Sequence, residues 1–401
     1  MNLQALLGDR LVGTLLLLPG EQILFSFAEE YINDPNRPVL SQYYRKANGE
    51  LRQETRPTRT KLPPWFSNLL PEGPLLEYIA KHASIHPSRE YHLLAFLGQD
   101  LPGAIRITGG EPQSAPLESS NAGSGKSDGP LRFSLAGVQL KFSAQMNKQG
   151  GLAIPAAGIG GDWIVKLPSS IHPAVPENEA AMLTLAEQAG IAVPEHRLVS
   201  VDSIQGLPQV GNFADRNALA VRRFDRLPGG GRVHMEDLAQ VFGVFPHDKY
   251  EKVGNARIAE LIGQILGPQA AQDFVARLAF IVLTGNGDMH LKNWALLYPD
   301  QRTPVLAPAY DLVSTVPYIP DERLALNIAG EKNFAAITRE RFRRLAERAA
   351  LPERETLDTV DRVVDAVLTF WPRIRRESGL SDAIAGKIDK HLRELPLAQG
   401  R

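Results

Sequence analysis

Asp288-Met289-His290-Leu291-Lys292-Asn293, followed on a later segment by Tyr310-Asp311, is the stretch on which the reading of this 401-residue chain turns. It supplies a carboxylate, an amide five residues further on, and a second carboxylate on a separate segment. Phosphoryl transfer from ATP needs those groups in that order. One carboxylate orients the attacking hydroxyl and accepts its proton, while an amide oxygen and a second carboxylate hold the magnesium ions that bridge the phosphates.

The flanking residues suit that task. The apolar end of a helix, Ala279-Phe280-Ile281-Val282-Leu283, runs into the stretch. Gly285 and Gly287 let the backbone turn tightly and approach a ligand. Tyr310-Asp311 lies between Val305-Leu306-Ala307 and Leu312-Val313. A carboxylate among apolar residues needs compensation, which a bound cation supplies. A solvated surface turn is the rival reading of Asp288 and Asn293, and the apolar setting of the second acid speaks against it. The spacing D-x-x-x-x-N is that of the protein-kinase catalytic loop, without the His-Arg that precedes it there.

Moving outward, Lys166 stands in Trp163-Ile164-Val165-Lys166-Leu167, an apolar strand in which an ammonium is costly unless paired. Kinases set such a lysine on the ATP phosphates and hold it with a helix glutamate; Glu177 or Glu179, at the start of the next helix, fits that part. The segment Phe133 to Phe142 (FSLAGVQLKF) joins two short strands through small residues, whose N–H groups can cradle phosphate with Lys141 adding charge. It is not a G-x-G-x-x-G loop. His290 has no second His or Cys at ligand spacing, so its expected part is to brace the loop by a hydrogen bond. Glu236-Asp237 reads as an acidic helix start favoured by the helix dipole. The basic clusters Arg339-Arg341-Arg343-Arg344 and Arg373-Arg375-Arg376 read as solvated helix faces.

Composition narrows the class. Hydrophobic residues form 43% and charged residues 22%, an ordinary globular mixture. The net charge of −1 argues against the chain alone gripping a nucleic-acid backbone. With 0 cysteines, disulfides, thiolate metal sites and cysteine nucleophiles are excluded. No apolar run approaches the about 18–20 residues that span a bilayer, and Met1-Asn2-Leu3-Gln4 opens no signal-type segment. A cytoplasmic protein without membrane contact is expected.

The expected fold class is α+β, in two lobes. Residues 1–109 carry a hairpin signal (11–18 and 22–27 around Pro19-Gly20), helical stretches near 75–80 and 88–98, and a strand at 104–107: a small α+β subdomain. Residues 110–130, rich in Gly, Ser and Pro, read as a linker. Within it Gly125-Lys126-Ser127 imitates a Walker loop, but Ser120 stands where glycine is required, and no strand leads in. Residues 131–235 bring strands at 133–135, 141–143, 163–167 and 219–221 and a helix over 177–189 closed by Gly190. Residues 236–401 are mostly helical, with helices expected at 236–243, 255–266, 268–284, 337–349, 355–377 and 382–394. Strands first and helices later fit a two-lobed kinase-like domain with a nucleotide at the junction.

Taken together, FSLAGVQLKFS (133–143), WIVKLP (163–168), ENEAAM (177–182), LAVRRFDR (219–226), MEDLAQVFG (235–243), TGNGDMHLKNWALL (284–297) and LAPAYDLVS (306–314) resemble the HipA family of bacterial serine/threonine kinases, the toxins of toxin–antitoxin pairs. Phe66-Ser67-Asn68-Leu69-Leu70-Pro71 resembles the family's first subdomain, so the likeness runs nearly end to end. The resemblance implies Mg2+-ATP as cofactor, bound by Ala136, Gly137, Val138, Gln139 and Lys141, with Lys166 on the phosphates. The backbone from Arg222 to Phe224 would meet the adenine, and His290 and Tyr310 would complete the nucleotide site. Asp288 would be the catalytic base, Asn293 and Asp311 the magnesium ligands, and Ser134 a self-silencing autophosphorylation site. It further implies a helix-turn-helix antitoxin as partner, DNA contact only through that antitoxin, and a translation component such as an aminoacyl-tRNA synthetase as substrate. Arg222 stands where family members often carry Glu, Leu140 where a polar residue is common and Met289 where a small one is. A nucleotide-binding corepressor without useful transfer, and a small-molecule or lipid kinase, are the rival functions.

Overall fold

The computed structural model describes residues 2–109, 140–146, 151–155, 160–207 and 215–399. The linker 110–130, the strand expected at 133–135, and the candidate residues Ser134, Ala136, Gly137, Val138 and Gln139 lie outside the described residues.

The N-terminal unit comprises β1 (Asn2–Leu7), β2 (Arg10–Leu18), β3 (Gln22–Phe27), α1 (Glu29–Asn33), β4 (Thr58–Arg59), α2 (Pro64–Ser67), α3 (Gly73–His82), α4 (Glu90–Leu97) and β5 (Ile105–Thr108). Its sheet runs β4-β3-β2-β1-β5, antiparallel throughout. Alternate residues Leu3, Ala5 and Leu7 of β1 and Ile23, Phe25 and Phe27 of β3 are buried, the period-two pattern of a sheet covered on one face. Trp65 and Phe66 of α2 and Leu94 of α4 belong to the same core.

A second sheet, in the order β7-β6-β8-β10-β9, is built from β6 (Lys141–Met146), β7 (Leu152–Ala153), β8 (Trp163–Lys166), β9 (His196–Ser200) and β10 (Asn217–Arg222). Helix α5 (Val175–Gln188) follows β8. It opens with Pro176 in its first turn and ends before Gly190, whose φ of +78° needs glycine. Register places Lys166 opposite both Lys141 and Leu219.

The C-terminal part holds β11 (His234–Asp237), α6 (Leu238–Phe242), α7 (Asn255–Leu266), α8 (Pro268–Thr284), β12 (Ala295–Tyr298), β13 (Val305–Leu306), β14 (Arg323–Ile328), β15 (Glu331–Asn333), α9 (Arg339–Arg348), α10 (Glu353–Glu377), α11 (Asp382–Glu394) and α12 (Pro396–Gln399). Helix α8 is buried at every position from Phe274 to Thr284. Apolar over that stretch except for Arg277 and Thr284, it is the central post of the core, and full burial of a side chain such as Phe280 contributes about 2–3 kcal/mol. Helix α10 packs on α8 and α5 through Val360, Val363, Val364 and Val367. Among the described residues, no helix is long and apolar enough to cross a membrane.

The helix expected over 236–243 begins two residues late. Glu236 and Asp237 belong to β11, which pairs with β12, and α6 starts beyond a reciprocal cap between Asp237 and Gln240. The dipole reading of Glu236 is therefore wrong. Its side chain is fully buried and accepts hydrogen bonds from the Ser41 hydroxyl, the Gln42 N–H at 2.9 Å, the Trp65 indole at 3.3 Å and the Tyr298 hydroxyl at 2.5 Å. That carboxylate stitches the N-terminal unit to the C-terminal part. A second buried seam joins Asp100 of the N-terminal unit to Arg223 at 3.3 Å and Arg226 at 2.8 Å, with Asp225 between the guanidinium groups.

Candidate active site

A cavity of about 640 Å3 opens between the second sheet and the C-terminal part, and Lys141, Lys166, Phe224, Asp288, Asn293 and Asp311 all line it. Arg222, His290 and Tyr310 border the same space. Every described candidate residue is thus brought to one cleft, from segments up to 170 positions apart (141 to 311).

The stretch from Asp288 to Asn293 is delivered by the end of α8. Gly285 takes the left-handed conformation, φ +65°, its N–H reaching Val282 O while the Asn286 N–H reaches Ile281 O at 3.0 Å. This double closure stops the helix and turns the chain into the cleft. The Asn286 side chain accepts from the Asp288 N–H at 3.0 Å. The Thr315 hydroxyl accepts from the Gly287 N–H at 2.7 Å and donates to Gly285 O at 3.1 Å. The loop is therefore tied to the segment that follows Asp311.

Asp288 accepts a hydrogen bond from the Tyr250 hydroxyl at 2.8 Å. Burial pushes its carboxyl above the ordinary range, against the Tyr250 hydrogen bond and the nearby Lys249. A carboxylate raised in this way is a better proton acceptor than an exposed one, the requirement for a general base. Asn293 donates through Nδ2 to Asp288 O at 3.0 Å, which commits the amide nitrogen and leaves its oxygen as the side chain's acceptor.

Lys166 is buried and forms ion pairs with both Glu179 and Asp311. Burial alone would discharge the ammonium, but Asp311 and Glu179 hold it charged, above its ordinary value. Lys166 and Lys141 in turn hold Asp311 far below the usual carboxylate range despite its burial. Burial pushes the Glu179 carboxyl up, against the pull of the Lys166 ammonium. These two acids also offset the like-charge pairing of Lys141 and Lys166 across the strands. Of the two glutamates that fitted in sequence, the structure selects Glu179; Glu177 accepts from the Asn217 amide at 2.8 Å instead. Asp311 has φ +54°, a left-handed conformation that costs a non-glycine residue about 1 kcal/mol or more and clusters at functional sites.

The residues expected at the nucleotide divide. Tyr310 packs its ring 5.6 Å from that of Phe224 and donates its hydroxyl to Lys292 O at 2.9 Å, so it also braces the loop from Asp288 to Asn293. The Arg222 and Arg223 N–H groups donate to Glu195 O and Asp162 O, both at 2.8 Å. The Arg222 side chain pairs with Asp162 and Glu195. His290 departs from its expected part. Among the described residues its buried Nδ1 has no hydrogen-bond partner, and its ring meets Tyr250 edge to face at 5.0 Å. Burial, with Lys249 nearby, lowers it to about 3, so the ring is neutral at pH 7.

The donor set fits magnesium. An ionised carboxylate, Asp311, and an amide oxygen of Asn293 line one cavity, and hard oxygen ligands in small number are what that ion takes beside phosphates. Sequence reasoning missed Tyr250, Thr315, Lys249 and Glu72, which hold the loop. Only Glu72 carried a signal, directly following the Phe66 to Pro71 stretch. The basic clusters behave as expected at Arg339, Arg343 and Arg344, which pair with Asp361 and Glu340 on exposed helix faces.

Comparison with known proteins adds to this geometry. Residues 3–108 match the HipA N-terminal domain, and residues 133–371 match the HipA-like C-terminal domain. Y4dM of Sinorhizobium fredii, which bears a kinase's name, is 48% identical over 387 residues, spanning 95% of this chain and 93% of its own. The serine/threonine-protein kinase toxin HipA of Shewanella oneidensis is 29% identical over 314 residues, 68% of each chain. In the solved complex of HipA, HipB and operator DNA from Shewanella oneidensis MR-1, one chain superposes with a TM-score of 0.72 at 23% identity, covering 98% of this chain and 96% of that one. At that identity the likeness is one of fold.

Proposed function

The chain belongs to the HipA family, and on that premise we propose that it is a Mg-ATP-dependent serine/threonine protein kinase acting as the toxin of a toxin–antitoxin pair. The observation that carries the reading is the pinning of Lys166 between Glu179 and Asp311 in the cavity that also holds Asp288 and Asn293.

In this proposal Lys166 contacts the triphosphate and Glu179 keeps it in place, while the adenine meets the segment from Arg222 to Phe224. Asn293 and Asp311 would hold magnesium, which would supply charge neutralisation for the phosphates. Asp288 orients the acceptor hydroxyl and takes its proton. Tyr250 supports that carboxylate, and Asn286 and Thr315 keep the loop aligned. The phosphate cradle at Ala136, Gly137, Val138 and Gln139, and self-silencing at Ser134, remain proposals resting on the family pattern. So do a translation component as substrate, such as an aminoacyl-tRNA synthetase, and a helix-turn-helix antitoxin as partner. The presence of HipB and operator DNA beside HipA in the Shewanella complex supports a partner of the antitoxin kind.

The test is transfer from γ-labelled ATP to this chain and to cell proteins, comparing wild type, Asp288→Asn, and wild type in EDTA. Label in the wild type that falls by about 100-fold or more in the other two supports the reading. Tight nucleotide binding with no labelled protein favours the corepressor reading, and label found only on small molecules or lipids favours the remaining rival.

A further inference from the structure

The N-terminal unit reaches into the phosphotransfer cleft through one carboxylate. Glu72 stands at the entry to α3 and lines the same cavity as Asp288. Its oxygens meet Lys249 Nζ at 2.7 Å and Lys292 Nζ at 2.6 Å. Both lysine side chains are nearly inaccessible, at 6% and 4% exposure. Lys292 also donates to Asn68 O at 3.1 Å, and the Asn68 amide donates to Val244 O at 2.8 Å. The stretch from Asn68 to Glu72 is thereby docked at both ends.

Each lysine is a neighbour of a residue with a chemical task. Lys292 precedes Asn293, and Lys249 precedes Tyr250, whose hydroxyl holds Asp288. The Leu291 N–H bonds to Lys249 O, joining the two lysine segments. A buried ammonium must be paired or it moves to another anion. Besides Glu72, the acids lining this space are Asp288, Asp311, Asp237, Asp225 and Glu179, and Asp237 already feels the charge of Lys292. We infer that Glu72 is a positioning residue: by clamping Lys249 and Lys292 from the N-terminal unit, it sets the placement of Asp288 and Asn293 and keeps both ammonium groups off the reacting carboxylates. The inference rests on the kinase reading for its consequence but not for its geometry. The two lysines hold the Glu72 carboxyl down at about 2, outweighing its burial, so the clamp is charged across the working pH range.

The experiment compares the full chain with Glu72→Gln, which removes the charge at nearly constant shape, and Glu72→Asp, which keeps it but sets the carboxylate back by one methylene. Two readouts are taken: amide hydrogen exchange of residues 286–293 without nucleotide, and the kinetics of phosphate transfer. The expected result for Glu72→Gln is faster exchange in that loop, with kcat down by about tenfold or more and the KM for ATP within about threefold. Glu72→Asp is expected between it and the wild type, and it decides the matter if Glu72→Gln does not fold. A merely adhesive role for Glu72 would lower the melting temperature yet leave kcat and loop exchange at wild-type values in the folded variant, and that result overturns the inference. If the wild type transfers no phosphate, the kinase reading falls, while unchanged loop exchange in the variants would still refute the clamp by itself.

Discussion

The Tyr250 hydroxyl lies 2.8 Å from the Asp288 carboxylate and donates to it. A tyrosine 38 positions upstream thus supports the proposed base, and it does so by favouring the ionised form, against the burial that raises the carboxyl.

Removing that hydroxyl has a predictable sign. In Tyr250→Phe the ionised form of Asp288 loses a donor, so its pKa rises further. A base must be ionised to act, so the acid limb of the pH–rate profile moves to higher pH, and kcat near neutrality drops by about threefold to tenfold. An acid limb that stays in place, measured from pH 5 to 9, would show that Asp288 does not govern it.

Lys166→Met leaves Glu179 and Asp311 facing each other without the ammonium that pairs them. Breaking a buried pair from one side costs about 3 kcal/mol, reduced to the extent that Glu179, already pushed up by burial, takes a proton. Urea unfolding should show this loss, and calorimetry should show Mg-ATP affinity reduced by about 100-fold. Wild-type affinity would remove Lys166 from the phosphate site.

Glu236 gives a stability prediction with a definite direction. Burial raises it from 4.5 to about 7, against hydrogen bonds from Ser41, Tyr298, Gln42 and Trp65 that favour its charge. The folded state therefore binds the proton more tightly than the unfolded chain. The stabilisation is complete below pH 4.5 and is lost as pH rises through about 7, a swing on the order of 3 kcal/mol. Asp237, raised to about 6, and His234, lowered to about 4, titrate in the same span, so the informative quantity is the difference between wild type and Glu236→Gln. That variant is expected to be less stable at pH 5, with the gap narrowing toward pH 8. A gap independent of pH from 5 to 8 would mean that the folded state does not raise Glu236 above its unfolded value.

Gly285→Ala tests the turn that feeds the loop. A Cβ there would meet Val316 Cγ1 at 2.6 Å, at a φ of +65°. The strain and the clash together should cost about 1–3 kcal/mol in urea unfolding. Because Thr315 and Val316 both bond to Gly285 O, the shift should also lower kcat, whereas wild-type values for both would show that the turn adapts freely.

How much of this was legible in the chain follows from what each residue's chemistry demands. Asp288, Asn293, Asp311 and Lys166 could be singled out because few side chains can accept a proton, offer a metal an oxygen, or place a cation in an apolar strand. The helix 268–284 was legible to its ends because its apolar run is bounded by Pro268 and Gly285, local signals that act without the rest of the fold. Glu236 was misread because the cap formed by Asp237 and Gln240 is also local, while the pairing of β11 with β12 spans some 60 positions, from Glu236 to Leu296, and leaves no trace near either strand.

Residue type and neighbouring sequence were enough to specify the candidate groups for the chemistry, where the helices stop, and which family pattern the chain follows. The choice of Glu179 over Glu177 for Lys166, the pairing of Tyr250 with Asp288, and the arrival of Glu72 between Lys249 and Lys292 came from the packed molecule alone. The reason is physical. Capping, turning and periodic burial act over a few residues and are written where they act, whereas a charge is matched by whatever anion the folded chain brings within reach, and that depends on helix phase and domain docking.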